Sequence, residues 1–239
     1  MEAYMMTDVG MKRSSNQDYV FKTTDPIGAL PNLFLLADGM GGYKGGEVAS
    51  KDTVEKMCDY IENADSSSIV EILTGAAKAA NSAIIKKASD SEILKNMGTT
   101  IVAATIEGDN MTVLNVGDSR LYIVDDDIRQ ITHDHSYVAE MVSAGAITKE
   151  QAKNHSDRNK ITRAVGAESR LKPDIFEVAL KKGDKVLLCS DGLYNMVDDD
   201  IIKSVLNSEK TVPDAAKKLV ELANKNGGDD NVSVVIINI

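Results

Sequence analysis

The sequence has no apolar run near the roughly 18 residues a bilayer span needs, and no basic N-terminal segment leading into an apolar stretch. A secretory leader and membrane insertion are therefore not expected; a soluble cytoplasmic protein is. Cysteine is scarce. Of the two, Cys58 falls in a helical pattern and Cys189 in an apolar strand pattern, which suits core thiols in a reducing compartment better than a disulfide framework. Positive charge is short as well: 27 Lys and Arg face 37 Asp and Glu, for a formal net charge of −10, and no basic stripe offsets it. Nucleic acid is thus not an expected partner. An anionic substrate would need positive charge from elsewhere, and metal ions can supply it. No low-complexity linker or composition break divides the 239 residues, so one domain spanning 1–239 is expected, long enough for a substantial core.

Several familiar chemistries are missing too. The glycine-rich run 39–46 lacks the Gly-Lys-Ser/Thr of a phosphate loop and does not complete a dinucleotide fingerprint. His133-Asp134-His135 has a spacing that zinc sites use, but no other His or Cys lies nearby to complete a tetrahedral set, and His155 is isolated. No nucleophile-elbow pattern occurs.

What the sequence does have is a repeated device. Leu33-Phe34-Leu35-Leu36-Ala37 is too short for a helix, reads as a strand buried on both faces, and runs into Asp38-Gly39. Val186-Leu187-Leu188-Cys189-Ser190 runs into Asp191-Gly192 in the same way. Asp118 follows the apolar run 112–117, and Asp230 precedes Val232-Ser233-Val234-Val235-Ile236-Ile237. Asp-Gly is also a strong hairpin-turn signal, and a pure turn is the competing reading. A hairpin's second strand would start at once, however. Here Gly39 is followed by more glycines and then a helical pattern, and Gly192 by a stretch that does not alternate. Carboxylates held at strand ends suit hard cations such as Mg²⁺ or Mn²⁺, which prefer oxygen ligands. Two such metals about 4 Å apart can activate a water and aim it at phosphorus. Arg13 would then clamp the non-bridging phosphate oxygens with its planar fork.

Around these points the chain alternates in type. Two short strand-like pieces lie around residues 11–18, the second continuing through Tyr19-Val20-Phe21. Amphipathic helices are expected at 45–61 and 69–87, and strands at 99–106, 111–116 and 121–124. Helices at 137–143 and after Thr148, where Gln151 completes a capping box, precede a polar stretch at 154–160 suited to an exposed flap. Strands return at 175–180 and 186–189. Asp198 and Thr211 are expected to cap helices ending near 206 and 223, before the last strand.

Taken together, Arg13-x-x-Asn16-Gln17-Asp18, Ala37-Asp38-Gly39-Met40-Gly41-Gly42, Met97-Gly98-Thr99-Thr100, Asn115-Val116-Gly117-Asp118-Ser119-Arg120, Thr132-His133-Asp134-His135-Ser136, Ser190-Asp191-Gly192-Leu193 and Asp230-Asn231-Val232-Ser233 resemble, in family order, the metal-dependent serine/threonine protein phosphatases of type 2C, the PPM family, in its bacterial form. The resemblance covers essentially the whole chain. It implies an α+β fold, a four-layer α-β-β-α sandwich of two mostly antiparallel sheets packed face to face with helices on both outer faces. It also implies two metals at one end of the sandwich: Asp38 bridging both, Gly39 offering its carbonyl to one, Asp191 and Asp230 completing the first metal's ligands, and Asp18 supporting the second metal directly or through water. Asp118 with Asp191 would hold a third, weaker metal, and residues 143–166 match the mobile flap.

The implied activity is Mn²⁺- or Mg²⁺-dependent hydrolysis of phosphoserine and phosphothreonine in proteins, opposing a bacterial serine/threonine kinase, by a monomer. The alternatives are a phosphatase of small phosphate esters or of an anti-sigma pathway, and a non-catalytic phosphoprotein sensor on the same fold. Two positions depart from some members: Met40 stands where a histidine is proposed as general acid, and Gln17 where some have glutamate. A metal-bound water is then the first candidate for protonating the leaving alkoxide, and His155 the second.

Overall fold

The computed structural model describes residues 1–42 and 44–239; Tyr43, within the glycine-rich run, lies outside them. In chain order the elements are β1 (Glu2–Asp8), β2 (Asp18–Thr23), β3 (Leu33–Met40), α1 (Gly45–Glu62), α2 (Ile69–Ser89), β4 (Gly98–Thr99), β5 (Ile101–Glu107), β6 (Asn110–Val116), β7 (Arg120–Val124), β8 (Ile128–Gln130), α3 (Tyr137–Ser143), α4 (Lys149–Lys153), β9 (Asp174–Ala179), β10 (Lys185–Cys189), α5 (Asp191–Tyr194), α6 (Asp199–Ser208), α7 (Val212–Lys225) and β11 (Val232–Asn238). One sheet has the order β1-β11-β10-β7-β8; the other runs β2-β3-β5-β6-β9, with β4 also paired to β3. Every strand pair is antiparallel.

The continuous apolar run of β3 is explained by its two neighbours. Leu33, Leu35 and Ala37 face the cluster that α1 and α2 form with Ile61, Ile72, Leu73 and Ala76. Phe34 and Leu36 face the opposite way, into the layer between the sheets, with Val113, Leu121, Ile123, Leu188 and Val235. On the far side, Leu187, Cys189, Val234 and Ile236 meet Ile202, Leu219 and Val220 of α6 and α7. Three apolar layers therefore separate four structural layers, the expected α-β-β-α sandwich. Each fully buried Leu, Ile or Val contributes roughly 1.5–3 kcal/mol by leaving water. The cysteines are free, Cys58 half-buried and Cys189 buried, and burial raises both thiols, Cys58 to about 11.

Local signals mostly hold. The Thr148–Gln151 capping box is formed in both directions, and Thr211 accepts from the Asp214 N–H at 3.2 Å with Pro213 in the first turn. Asp198 does occupy the N-cap position of α6, but its carboxylate makes no capping bond, because it accepts from Lys153 Nζ at 2.9 Å instead. The strand expected over 99–106 is broken at Thr100, where the chain leaves β4 and begins β5.

Candidate metal centre

Antiparallel register brings the distant aspartates to one end of the sandwich. β2 runs against β3, so Asp18, the first residue of β2, is the direct cross-strand partner of Asp38. In the other sheet β10 runs against β11, which sets Asp191, just past β10, beside Asp230, just before β11. At this end β11 approaches β2 and β3 across the sandwich. The fifth carboxylate, Asp118, sits in the turn between β6 and β7.

Thr100 is the strut that joins Asp38 to this turn. Its Oγ1 accepts from the Asp38 N–H at 2.9 Å and shares a hydrogen bond with Ser119 Oγ at 2.7 Å. Its N–H donates to the Asp38 carbonyl at 2.9 Å, as does Thr99 Oγ1 at 2.8 Å. These bonds occupy the backbone on both sides of Asp38 and leave its carboxylate free to face the cluster. Gly117 can make the turn because it sits at φ +107°, a conformation side chains resist.

The loop bearing Arg13 is pinned by Asn231. Its Nδ2 donates to the carbonyls of Val9 and Ser15 at 2.9 and 3.0 Å, and its Oδ1 accepts from the Gln17 N–H at 2.8 Å. Arg13 reaches Asp230, with Nη2 at 2.7 Å from Oδ2, while Ser190 Oγ donates to Asp18 Oδ2 at 2.8 Å. Among the described residues no group of three or more His, Cys, Asp or Glu side chains is assembled to hold a metal ion as it stands. The Asp18 and Asp230 carboxylates are instead engaged by Ser190 and Arg13.

The charges are poorly compensated. Burial first, then Asp18, Asp191, Asp118 and Asp230, hold Asp38 well above the usual carboxylate range. Asp191 is raised by burial, then by Asp118, Asp230 and Asp18, with Arg13 opposing. Asp18 is pushed up to about 6 by burial, against the bonds from Ser233 and Ser190. Asp118 rises to about 7 through burial and Asp134. Oxygen donors that repel one another at a partly buried end of the sandwich, with an exposed arginine at their edge, fit a hard divalent cation.

A pH dependence follows. A carboxyl raised in the folded state binds more protons there than in the unfolded chain, so stability falls as pH rises between the two values. The melting temperature of the chelator-treated protein is expected to fall from about pH 5 to about pH 8, and Mn²⁺ to remove that fall. A flat profile would show that the carboxylates are not mutually strained.

Beside this end lies the segment 143–166. It leaves after α3, carries α4, and returns where Val165 and Thr99 exchange both backbone hydrogen bonds, at 2.9 and 3.0 Å. His155 lies on it with its ring against Tyr137 and its Nδ1 accepting from the Asp157 N–H. Met40 ends β3 opposite Gly98. His135 is not in a cluster of histidines: its Nδ1 accepts from Gly117 and its Nε2 meets Asp174 at 3.1 Å. The structure adds Thr100, Asn231, Arg120, Asp134 and Tyr194 to the site's framework. All but Tyr194 lie inside the matched motifs, so their presence was legible while their bonding was not.

A family model described as protein phosphatase 2C matches residues 11–231. A serine/threonine phosphatase, stp, of Listeria innocua is 38% identical, over 99% of this chain and 95% of the Listeria protein. The structure of a serine/threonine phosphatase of S. agalactiae superposes with a TM-score of 0.93 at 37% identity, covering 100% of this chain and 99% of that one. The catalytic domain of the phosphatase PstP, in complex with two manganese ions, matches with a TM-score of 0.87 at 34% identity, over 98% and 96%. The sandwich and its acidic end thus define a metal-dependent phosphatase of bacterial type. The chain belongs to the protein phosphatase 2C family.

Proposed function

We propose that this chain removes phosphate from phosphoserine and phosphothreonine in proteins, using divalent cations held by the acidic end of the sandwich. The observation that carries the reading is the convergence of Asp18, Asp38, Asp118, Asp191 and Asp230, from five separate segments, beside one arginine. In this reading Asp38 would serve as ligand to both of two Mn²⁺ or Mg²⁺ ions, and the Gly39 carbonyl to one of them. Asp191 and Asp230 would complete the first ion's ligands, Asp18 would support the second, and Asp118 with Asp191 would hold a third. When bound, the ions polarise the phosphoryl group and supply a nucleophile at neutral pH.

The chain's own residues do the rest. Arg13, on a loop fixed by Asn231, moves its guanidinium from Asp230 to the non-bridging oxygens of the phosphate, a bidentate match that also neutralises their charge. The bonds that Thr99 and Thr100 make to the Asp38 backbone fix the strand end that carries its carboxylate, so little reorganisation of the main chain is left to the reaction. Residues 1–239 act as one catalytic unit, and the flap at 143–166 lies where the protein substrate must approach. A cytoplasmic monomer opposing a serine/threonine kinase is the role that fits the bacterial relatives and the acidic charge.

Phosphate release from a phosphothreonine peptide tests this directly. Turnover is expected with Mn²⁺ and none with excess chelator, and Arg13→Ala is expected to raise KM about tenfold, the loss of one charge-assisted contact. Turnover that survives chelation, or release only from small esters and not from phosphopeptides, would overturn the proposal.

A further inference from the structure

The turn that carries Asp118 is held at every residue. The Gly117 N–H donates to His135 Nδ1 at 3.1 Å, and its carbonyl accepts from the His135 N–H at 2.9 Å. Ser119 is bonded to Thr100. Arg120 forks onto Asp134, with Nη2 2.7 Å from Oδ2 and Nε 3.0 Å from Oδ1, while Nη1 donates to Tyr122 Oη at 2.9 Å. Gln130 Nε2 completes the Asp134 carboxylate at 2.7 Å.

Asp118 itself is held by something else. Its carbonyl accepts from Tyr194 Oη at 3.1 Å. Tyr194 is the last residue of α5 and Asp191 is the first, so the two project from one face of the same helical turn. A single hydrogen bond therefore ties the backbone of one carboxylate to the helix that carries another. The ring making that bond is itself fixed, because the Arg120 guanidinium lies 3.6 Å over its centroid and is locked by Asp134.

We propose that Tyr194 is a positioning residue that sets the separation of Asp118 and Asp191, with Arg120 and Asp134 holding its ring, and so fixes the affinity of that carboxylate pair for a divalent cation. The inference rests on reading the pair as a cation site. Like charges push the 117–120 turn and α5 apart, and the Tyr194 hydroxyl resists that spread before any ion binds. A preset pair spares the ion the work of closing the gap, which is where positioning side chains gain their effect. The hydroxyl touches no substrate in this scheme and takes no part in proton transfer.

Tyr194→Phe keeps the ring and its stacking on Arg120 and removes only the hydroxyl. Mn²⁺ binding to the whole protein, followed by electron paramagnetic resonance of the free ion, is compared for the wild type, Tyr194→Phe, Asp118→Asn and the double variant. Loss of one neutral hydrogen bond is expected to weaken the weakest class of Mn²⁺ site about fivefold, leaving the tighter classes unchanged. In the Asp118→Asn background the same change is expected to do nothing further. The melting temperature in chelator is expected to move by less than about 2 °C, since one partly exposed bond is lost. A wild-type isotherm for Tyr194→Phe, or an equal loss with and without Asp118, would overturn the positioning role. If Asp118→Asn abolishes one binding class while Tyr194→Phe leaves it intact, only the Tyr194 inference falls. If Asp118→Asn leaves every class intact, the cation reading of the pair falls and takes the inference with it.

Discussion

Replacing Asp38 with asparagine is expected to lower kcat/KM for a phosphothreonine peptide by about 10³-fold or more while raising the melting temperature of the chelator-treated protein. The two effects have one cause. Asp38 stands at the centre of the acidic cluster, directly opposite Asp18 and within the field of Asp191, Asp118 and Asp230. Its charge is costly to the fold when nothing compensates it, and it is what a pair of cations would bind most strongly. Asparagine keeps the shape and removes the charge. The backbone bonds to Thr99 and Thr100 do not involve the carboxylate, so the strand end should stay where it is. Thermal melts in chelator and in Mn²⁺, run beside the peptide assay, separate the two effects. Retained activity, or a variant that melts lower in chelator, would show that the Asp38 charge is neither strained nor needed.

Gly39→Ala should be nearly as damaging by a different route. A Cβ at this position would overlap the carbonyl oxygen of Gly46 at the start of α1 and lie 2.6 Å from the carbonyl of Gln17. Both obstacles are backbone, so no side chain can swing aside. The Gly39 N–H also donates to that Gln17 carbonyl at 3.0 Å, which fixes the spacing of the two strand ends. Relief requires β3, the loop before β2 and the first turn of α1 to separate, and overpacking of this severity costs about 3 kcal/mol or more. For a chain of this size that corresponds to a fall of about 6–12 °C in melting temperature. Because the shift displaces Asp38 and Asp18 together, Mn²⁺ binding is expected to weaken as well. Gly108→Ala is the useful control, since a Cβ there meets nothing within 4 Å and the strain comes only from its φ of +58°. It should lower stability without touching Mn²⁺ binding. Equal metal affinity in Gly39→Ala and wild type would contradict the close packing assigned to this strand end.

Much of this was legible in the sequence because the signals are local. A strand buried on both faces needs an unbroken apolar run, and β3 has one because helices cover one side and the second sheet the other. Helix starts at Thr148 and Thr211 are written in the first few residues of each helix. Convergence of the aspartates is not local. It depends on which strand pairs with which, and the Asp18–Asp38 pairing spans residues with no shared pattern of spacing. The order of the matched motifs supplied what periodicity could not. Elements were also missed where the pattern is weak: β8 and α5 are too brief to show a period, and β4 was merged with β5. The mostly exposed edge strand β1 was missed as well, while the strand-like piece expected around residue 11 is a turn. Thr100 reads as one more β-branched strand residue, although its side chain turns back to the backbone and splits the strand in two. Asp198 holds the N-cap position that its residue type favours, but Lys153 from the flap captures its carboxylate, a competition only tertiary structure reveals. Arg13 likewise has the chemistry of a phosphate clamp, but its pairing with Asp230, 217 residues away, is visible only in the fold.

The most direct measurement is an anomalous-difference map at the manganese edge from crystals grown in excess Mn²⁺. Strong peaks ligated by the carboxylates of Asp38, Asp191 and Asp230, absent from crystals of Asp38→Asn, are the predicted result. A fully ordered acidic end with those three side chains still apart and no peak between them would contradict the account.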